Sequence, residues 1–206
     1  MPAIFEFKIF LYLLIIFSAV LHEYFHGWTA NYLGDPTAKD AGRLTLNPIK
    51  HIDPLGTVII PLALLFFFGG FIGWAKPVPY NPYNLRDKKY GSTKVALAGP
   101  LANFLIAIFF GLILRFVQLD GLIFVAFGWI VYINIILALF NLIPIPPLDG
   151  SKLLLDLFPR SSAIRFLEYS FLGIFLALFV AFRFLPYIAS FFYFLIVGNS
   201  FLAAVF

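Results

Sequence analysis

Within one helical turn, His22, Glu23 and His26 bring together the residue types that bind and use a metal, in the order His22-Glu23-Tyr24-Phe25-His26. On a helix, residues four apart lie above one another on the same face, so the two imidazoles converge on one zinc ion. Glu23 then points to a neighbouring position suited to activating a bound water. A histidine pair supplies only two ligands, and a catalytic zinc takes three plus an open position. His51 and Asp149 are the strong candidates for the third ligand, with Asp53 a weaker one. The bland alternative is a pair of histidines buried between helices, with Glu23 paired to a base. Against it, two of the chain's three histidines form this pattern, and a carboxylate inside an apolar span is costly enough to mark function.

Asp149 follows an apolar run broken by Pro144, Pro146 and Pro147. Prolines remove backbone donors and disrupt helix, which permits extended backbone. Such backbone is tolerated at membrane depth where it is buried in protein or lines a wet cavity. A carboxylate there, beside Gly150, is able to approach a metal closely. The ordinary alternative is an interfacial aspartate capping the next helix near Ser151.

The elements that must position these residues are membrane spans. The chain has 206 residues, 62% hydrophobic and only 12% charged, about half the charged share of a soluble domain. Its runs 9–21, 95–114, 122–143, 171–182 and 184–198 are almost free of charge, and a bilayer crossing takes about 20 such residues. Twenty-eight phenylalanines fit lipid contact better than a small soluble core. The net charge of +4 is carried mainly in connections between apolar runs, where it reports orientation rather than nucleic-acid binding. With no cysteine, disulfides and thiolate metal sites are excluded. The N-terminal run lacks an A-x-A-like cleavage site and contains His22 and Glu23, so it reads as a retained span.

Spans are expected at about 9–33, 95–116, 122–143, 163–182 and 186–204, with 55–74 as a further apolar stretch interrupted by Pro61 and Gly69-Gly70. Arg43-Leu44-Thr45-Leu46 reads as a short strand, with Asn47-Pro48 as its turn. The fold class expected is an all-α polytopic membrane protein with short β elements in its connecting loops. Residues 1–155 would form a catalytic transmembrane core and 156–206 a C-terminal transmembrane helical pair.

Two segments together resemble the site-2 protease family of intramembrane zinc metalloproteases. HExxH matches residues 22–26, and the NxxPxPxLDG-type motif matches Asn141 through Gly150. The likeness is greatest to compact bacterial members without added periplasmic or nucleotide-sensing domains. It covers roughly 18–155, including Gly42 to Pro48, His51 to Gly56, Gly73 to Pro79 and Gly99 to Asn103. The resemblance implies one zinc per chain held by His22, His26 and Asp149, with Glu23 as general base and acid. It gives Asn141, and in a similar way Asn103, the work of positioning substrate or active-site backbone; for Asn103 a helix–helix hydrogen bond is an equal alternative. His51 fits a gating or supporting role better than direct ligation. Zinc would acidify a water and polarise the scissile carbonyl, and Glu23 would move the proton to the leaving amine. An extended substrate strand could pair with backbone near 43–47. Substrates would be single-span membrane proteins or residual signal peptides, met in the lipid bilayer. Nothing in the chain points to nucleic acid, and selection would involve the membrane domain, the polar loops, a homo-oligomer or a partner protein.

For His22, His26 and Asp149 to meet on one side of the bilayer, 55–74 must re-enter rather than cross. Five spans plus a re-entrant stretch then put 11 of the 14 basic residues on one side; full crossing gives 9 against 5. By the positive-inside rule the active-site mouth and C-terminus would be cytoplasmic in the inner (plasma) membrane. The rival is a non-proteolytic metal-binding or transport protein, since acids and histidines also line ion pathways.

Overall fold

A computed structural model describes residues 2–68, 73–162, 166–167 and 171–199. Its contacts separate into two compact units, Met1–Lys88 and Lys89–Phe206.

The first unit is built on helix α1 (Pro2–Tyr32). α1 ends at Gly34, whose φ of 105° suits glycine. Around it the Asp35 N–H returns to the Ala30 carbonyl at 2.9 Å and the Gly34 N–H to Asn31 at 3.1 Å, a Schellman closure of the helix end. A one-turn helix at Thr37–Asp40 and a 3-10 turn at Pro48–His51 follow. Asp53 then accepts the N–H groups of Leu55 and Gly56 and starts a π-helical turn, Pro54–Ile59, which continues as α2 (Ile60–Phe68).

The stretch 55–74 turns back to where it began. The Trp74 N–H donates to the Gly56 carbonyl at 3.0 Å, and the Thr57 hydroxyl donates to the Trp74 carbonyl at 2.8 Å. Even taken as one helix, 54–68 is only about 22 Å long, short of the roughly 30 Å hydrocarbon layer. A crossing segment could not have its two ends hydrogen-bonded to each other. Gly69-Gly70, expected to break this element, lie outside the described residues.

The expected β elements are absent: the described residues contain no strand. The 41–47 stretch is turn and bend, because its polar groups are used locally instead of in a ladder. The Arg43 N–H bonds the Ala38 carbonyl at 2.9 Å, and Asn47 caps the following 3-10 turn through the Ile49 N–H. No neighbouring strand completes the pair that a sheet requires.

The second unit contains α3 (Gly91–Phe116), α4 (Gly121–Asn141), α5 (Gly150–Leu157) and α6 (Phe171–Val197). Small residues let these helices approach closely, as is usual where lipid removes the hydrophobic drive between helices. Ala107, Val131, Ile135, Ala189 and Tyr193 form a buried cluster, and a Cβ on Gly111 would lie 2.4 Å from Ile196. Gly173, near the start of α6, packs against the Pro146 carbonyl. At the other end, Arg115 of α3 donates to the Leu195 carbonyl at 3.0 Å. α6 therefore runs antiparallel to α4.

α6 also corrects the C-terminal reading. Instead of a break near 183–185, one helix continues from Phe171 through Pro186 to Val197. Proline deletes one donor, but in lipid the remaining backbone groups have no partner except their own helix, so the helix persists. α3 passes Pro100 in the same way. The parts of the expected spans at 163–165, 168–170 and 200–206 lie outside the described residues. Among the described residues, four helices are long and apolar enough to cross a bilayer: Glu6–Tyr32, Gly91–Phe116, Gly121–Asn141 and Leu172–Val197. The chain is a multi-pass, all-α membrane protein.

Candidate metal centre

α1 places His22, Glu23 and His26 together. Their ligand atoms lie within 4.8 Å of one another, and the two imidazoles meet edge to face with centroids 4.5 Å apart. His22 and His26 are only 6% and 9% exposed. Two largely buried imidazoles and a half-buried carboxylate suit zinc in donor type and spacing. The cluster can hold a single zinc ion.

The loop after α1 is fastened over this cluster. Residues 73–80 run without regular structure, and their alternate N–H groups bond toward named partners. Trp74 donates to the Gly56 carbonyl at 3.0 Å and Lys76 to the His51 carbonyl at 2.9 Å. Val78 donates to Oε2 of Glu23 at 2.7 Å. Pro77 and Pro79 flank Val78 and carry no N–H, so the one donor between them goes to the carboxylate. Arg43 steadies the segment by donating to the Lys76 carbonyl at 2.8 Å. Val78 is buried and sits so close that a Cβ on Gly27 would be 2.9 Å from its Cγ1. Gly27 is thus the space on α1 that admits this segment.

Asp35 anchors the far end. It is fully buried and accepts from the Thr37 hydroxyl at 2.5 Å, the Asn81 N–H at 2.6 Å and the Asn84 amide at 2.9 Å. Burial raises its pKa, but these hydrogen bonds outweigh it and hold the carboxyl below the usual aspartate range. Neither Val78 nor Asp35 was a candidate from sequence. A backbone donor has no side-chain signature, although the lone N–H between two prolines was a visible clue.

The other candidates are placed as follows. His51 is 2% exposed; its Nε2 is 2.9 Å from the Thr45 carbonyl, and it stands outside the His22–Glu23–His26 group. Asp53 is occupied as a cap, accepting from Leu55 at 3.0 Å and Gly56 at 2.6 Å. Asn103 is buried in the second unit and donates to Asn134 across α3 and α4 at 2.8 Å. Asn141 closes α4, its amide donating to the Leu137 carbonyl at 3.0 Å. Asp149 occupies the N-cap position of α5 and makes no side-chain cap hydrogen bond there. Gly150 is needed beside it, since a Cβ there would lie 2.3 Å from the Leu142 carbonyl oxygen.

Residues 119–182, which include the Asn141–Gly150 segment, match the family model for peptidase family M50. YwhC of Bacillus subtilis, whose name describes it provisionally as a zinc metalloprotease, is 38% identical over 183 residues, covering 83% of this chain and 80% of that protein. The chain belongs to peptidase family M50. Rip2 of Mycolicibacterium smegmatis, named in the same provisional way, is 34% identical over 143 residues, which are 66% of this M50 chain and 52% of Rip2. A similarly named Methanocaldococcus jannaschii protein is 41% identical over 100 residues, 47% of this chain and 50% of that one. No solved structure matches. Family membership and the metal cluster together make this M50 protein a membrane-embedded zinc metalloprotease, as the resemblance to site-2 proteases implied.

Proposed function

We propose that this M50 protein hydrolyses peptide bonds in or near the transmembrane segments of single-span membrane proteins or residual signal peptides. One observation carries the reading: the metal cluster lies inside a membrane-crossing helix. His26 is six residues and His22 ten residues before the end of the Glu6–Tyr32 span, or about 9 and 15 Å along the axis. A site at that depth meets substrates that are themselves in the bilayer.

His22 and His26 supply two zinc ligands in this reading, and Asp149 the third. A zinc ion held there supplies Lewis acidity toward a carbonyl and lowers the pKa of water. The Val78 N–H fixes one oxygen of Glu23, so the other is aimed to take the proton of the attacking water and return it to the leaving amine. A substrate helix hides its carbonyls in its own hydrogen bonds and must unwind locally before attack. Asn141 steadies the end of α4 where the proline segment departs, and Asn103 acts through the α3–α4 contact. His51 supports the 73–80 segment through its carbonyl. Residues 1–155 carry all these groups, with 156–206 as an accessory membrane segment.

The active-site face is assigned to the cytoplasm, because the segments 33–94 and 142–170 hold 11 of the 14 basic residues. The test is a membrane proteome comparison between cells carrying the wild type and Glu23→Gln. Single-span fragments that accumulate only with Glu23→Gln support the reading; an unchanged membrane proteome would sink it.

A further inference from the structure

Arg183 sits where a charge is least welcome. It is twelve residues after the start and fourteen before the end of α6, so its Cα is about 18 and 21 Å from the two helix ends. Wherever a hydrocarbon layer of roughly 30 Å lies along this helix, about 9 Å or more separates Arg183 from the nearer interface. Snorkelling serves long basic side chains near helix ends, not in the middle.

The side chain is exposed. It lies over the Phe184 ring at 5.7 Å, and among the described residues it makes no hydrogen bond or ion pair. Its surroundings add a second unmet polar group. Pro186 has no N–H, so the carbonyl of Phe182 lacks its usual helical donor four residues on. One helical turn away on either side, Phe179 and Tyr187 are 66% and 71% exposed. The outer face of α6 thus presents a guanidinium fork and a bare carbonyl between projecting aromatic rings. Acyl chains satisfy neither group. A carboxylate accepts two parallel hydrogen bonds from a guanidinium, and a protonated one could also donate to the carbonyl.

Among the described residues, a second copy of this chain offers no such group: the acids within the four described spans are Glu6, at the end of one, and Glu23, already bonded to Val78 in the metal cluster. We propose that the face of α6 centred on Arg183 docks a transmembrane helix of another protein carrying an aspartate or glutamate at mid-bilayer. The surface is independent of catalysis, so its failure and that of the proteolytic reading are separable.

The test uses the full chain in its Glu23→Gln form, reconstituted in phosphatidylcholine vesicles and labelled for energy transfer. The probes are synthetic leucine-rich transmembrane peptides with a central Glu, Leu or Lys. The Glu peptide should associate about tenfold more tightly than the Leu peptide, the usual scale of an interhelical polar contact. Arg183→Leu should remove that difference. Arg183→Glu should exchange the preference to the Lys peptide, which shows that the variants remain folded. Equal association of the Glu and Leu peptides with the Arg183 form overturns the proposal. So does Arg183-dependent self-association without peptide, or an Arg183 effect that appears only with anionic lipid and ignores the peptide's central residue.

Discussion

Glu23 is the residue on which chemistry and structure meet most closely, and its partner is a backbone N–H. If the Val78 donor aims the carboxylate, Val78→Pro should reduce cleavage about ten- to a hundredfold, the worth of a hydrogen bond to a charged group. Val78→Ala keeps the donor and should stay near wild type, and both variants should bind zinc equally. A Val78→Pro protein with full activity would remove the donor's role. Asp35 permits a second test, on stability. Its folded pKa is depressed, so its contribution is complete above the ordinary aspartate pKa of about 4 and is lost as pH falls through the folded value. Asp35→Asn should be destabilised by about 1–3 kcal/mol at neutral pH, with a smaller loss of stability on acidification than wild type. Thermal melts in detergent across that range check both the size and the sign. The histidine pair was legible from sequence because its spacing is itself the geometry. Asp35 was not, since its partners lie at Thr37, Asn81 and Asn84 and only the fold gathers them.

The re-entrant stretch and the proline segment are elements held in place by glycines in crowded positions. A Cβ on Gly56 would fall 2.1 Å from the Trp74 indole, and one on Gly73 2.5 Å from the Gly56 carbonyl oxygen. Gly56→Ala should therefore unfasten 73–80 from its anchor and lower cleavage more than zinc content. Gly150→Ala meets backbone at Leu142 and must displace Asp149. Because misplacement by about 1 Å costs on the order of a hundredfold in rate, cleavage should fall by that scale, and zinc affinity with it if Asp149 is a ligand. Unchanged zinc binding in Gly150→Ala would count against ligation by Asp149. Re-entry of 55–74 was readable from parity and charge, which constrain which ends share a side. The strand expected at 43–46 failed because β-branched and apolar composition says nothing about whether a partner strand exists. The break expected near 183–185 failed because Arg183 and Pro186 look like a connection in water, whereas in lipid the helix is the only outlet for backbone polar groups.

At the scale of the whole molecule, the membrane sets both the address and the logic of the site. If each of the four long apolar helices among the described residues crosses the bilayer once and 55–74 does not cross, the number of crossings predicts Lys8 and Val197 on one side. Reporter fusions after Lys8 and after Val197 should agree with each other and differ from one after Lys88; disagreement between the first two would mean that a crossing has been miscounted. Zinc proteolysis at membrane depth is tested most directly with the purified chain in proteoliposomes, following a single-span substrate and bound zinc together in wild type and Glu23→Gln. Both forms should hold about one zinc, and loss of the general base should slow cleavage by on the order of a hundredfold or more. Chelation should stop the wild type, and added zinc should restore it. Cleavage undiminished in Glu23→Gln, or zinc passing across the vesicle membrane with no cleavage in either form, would contradict it.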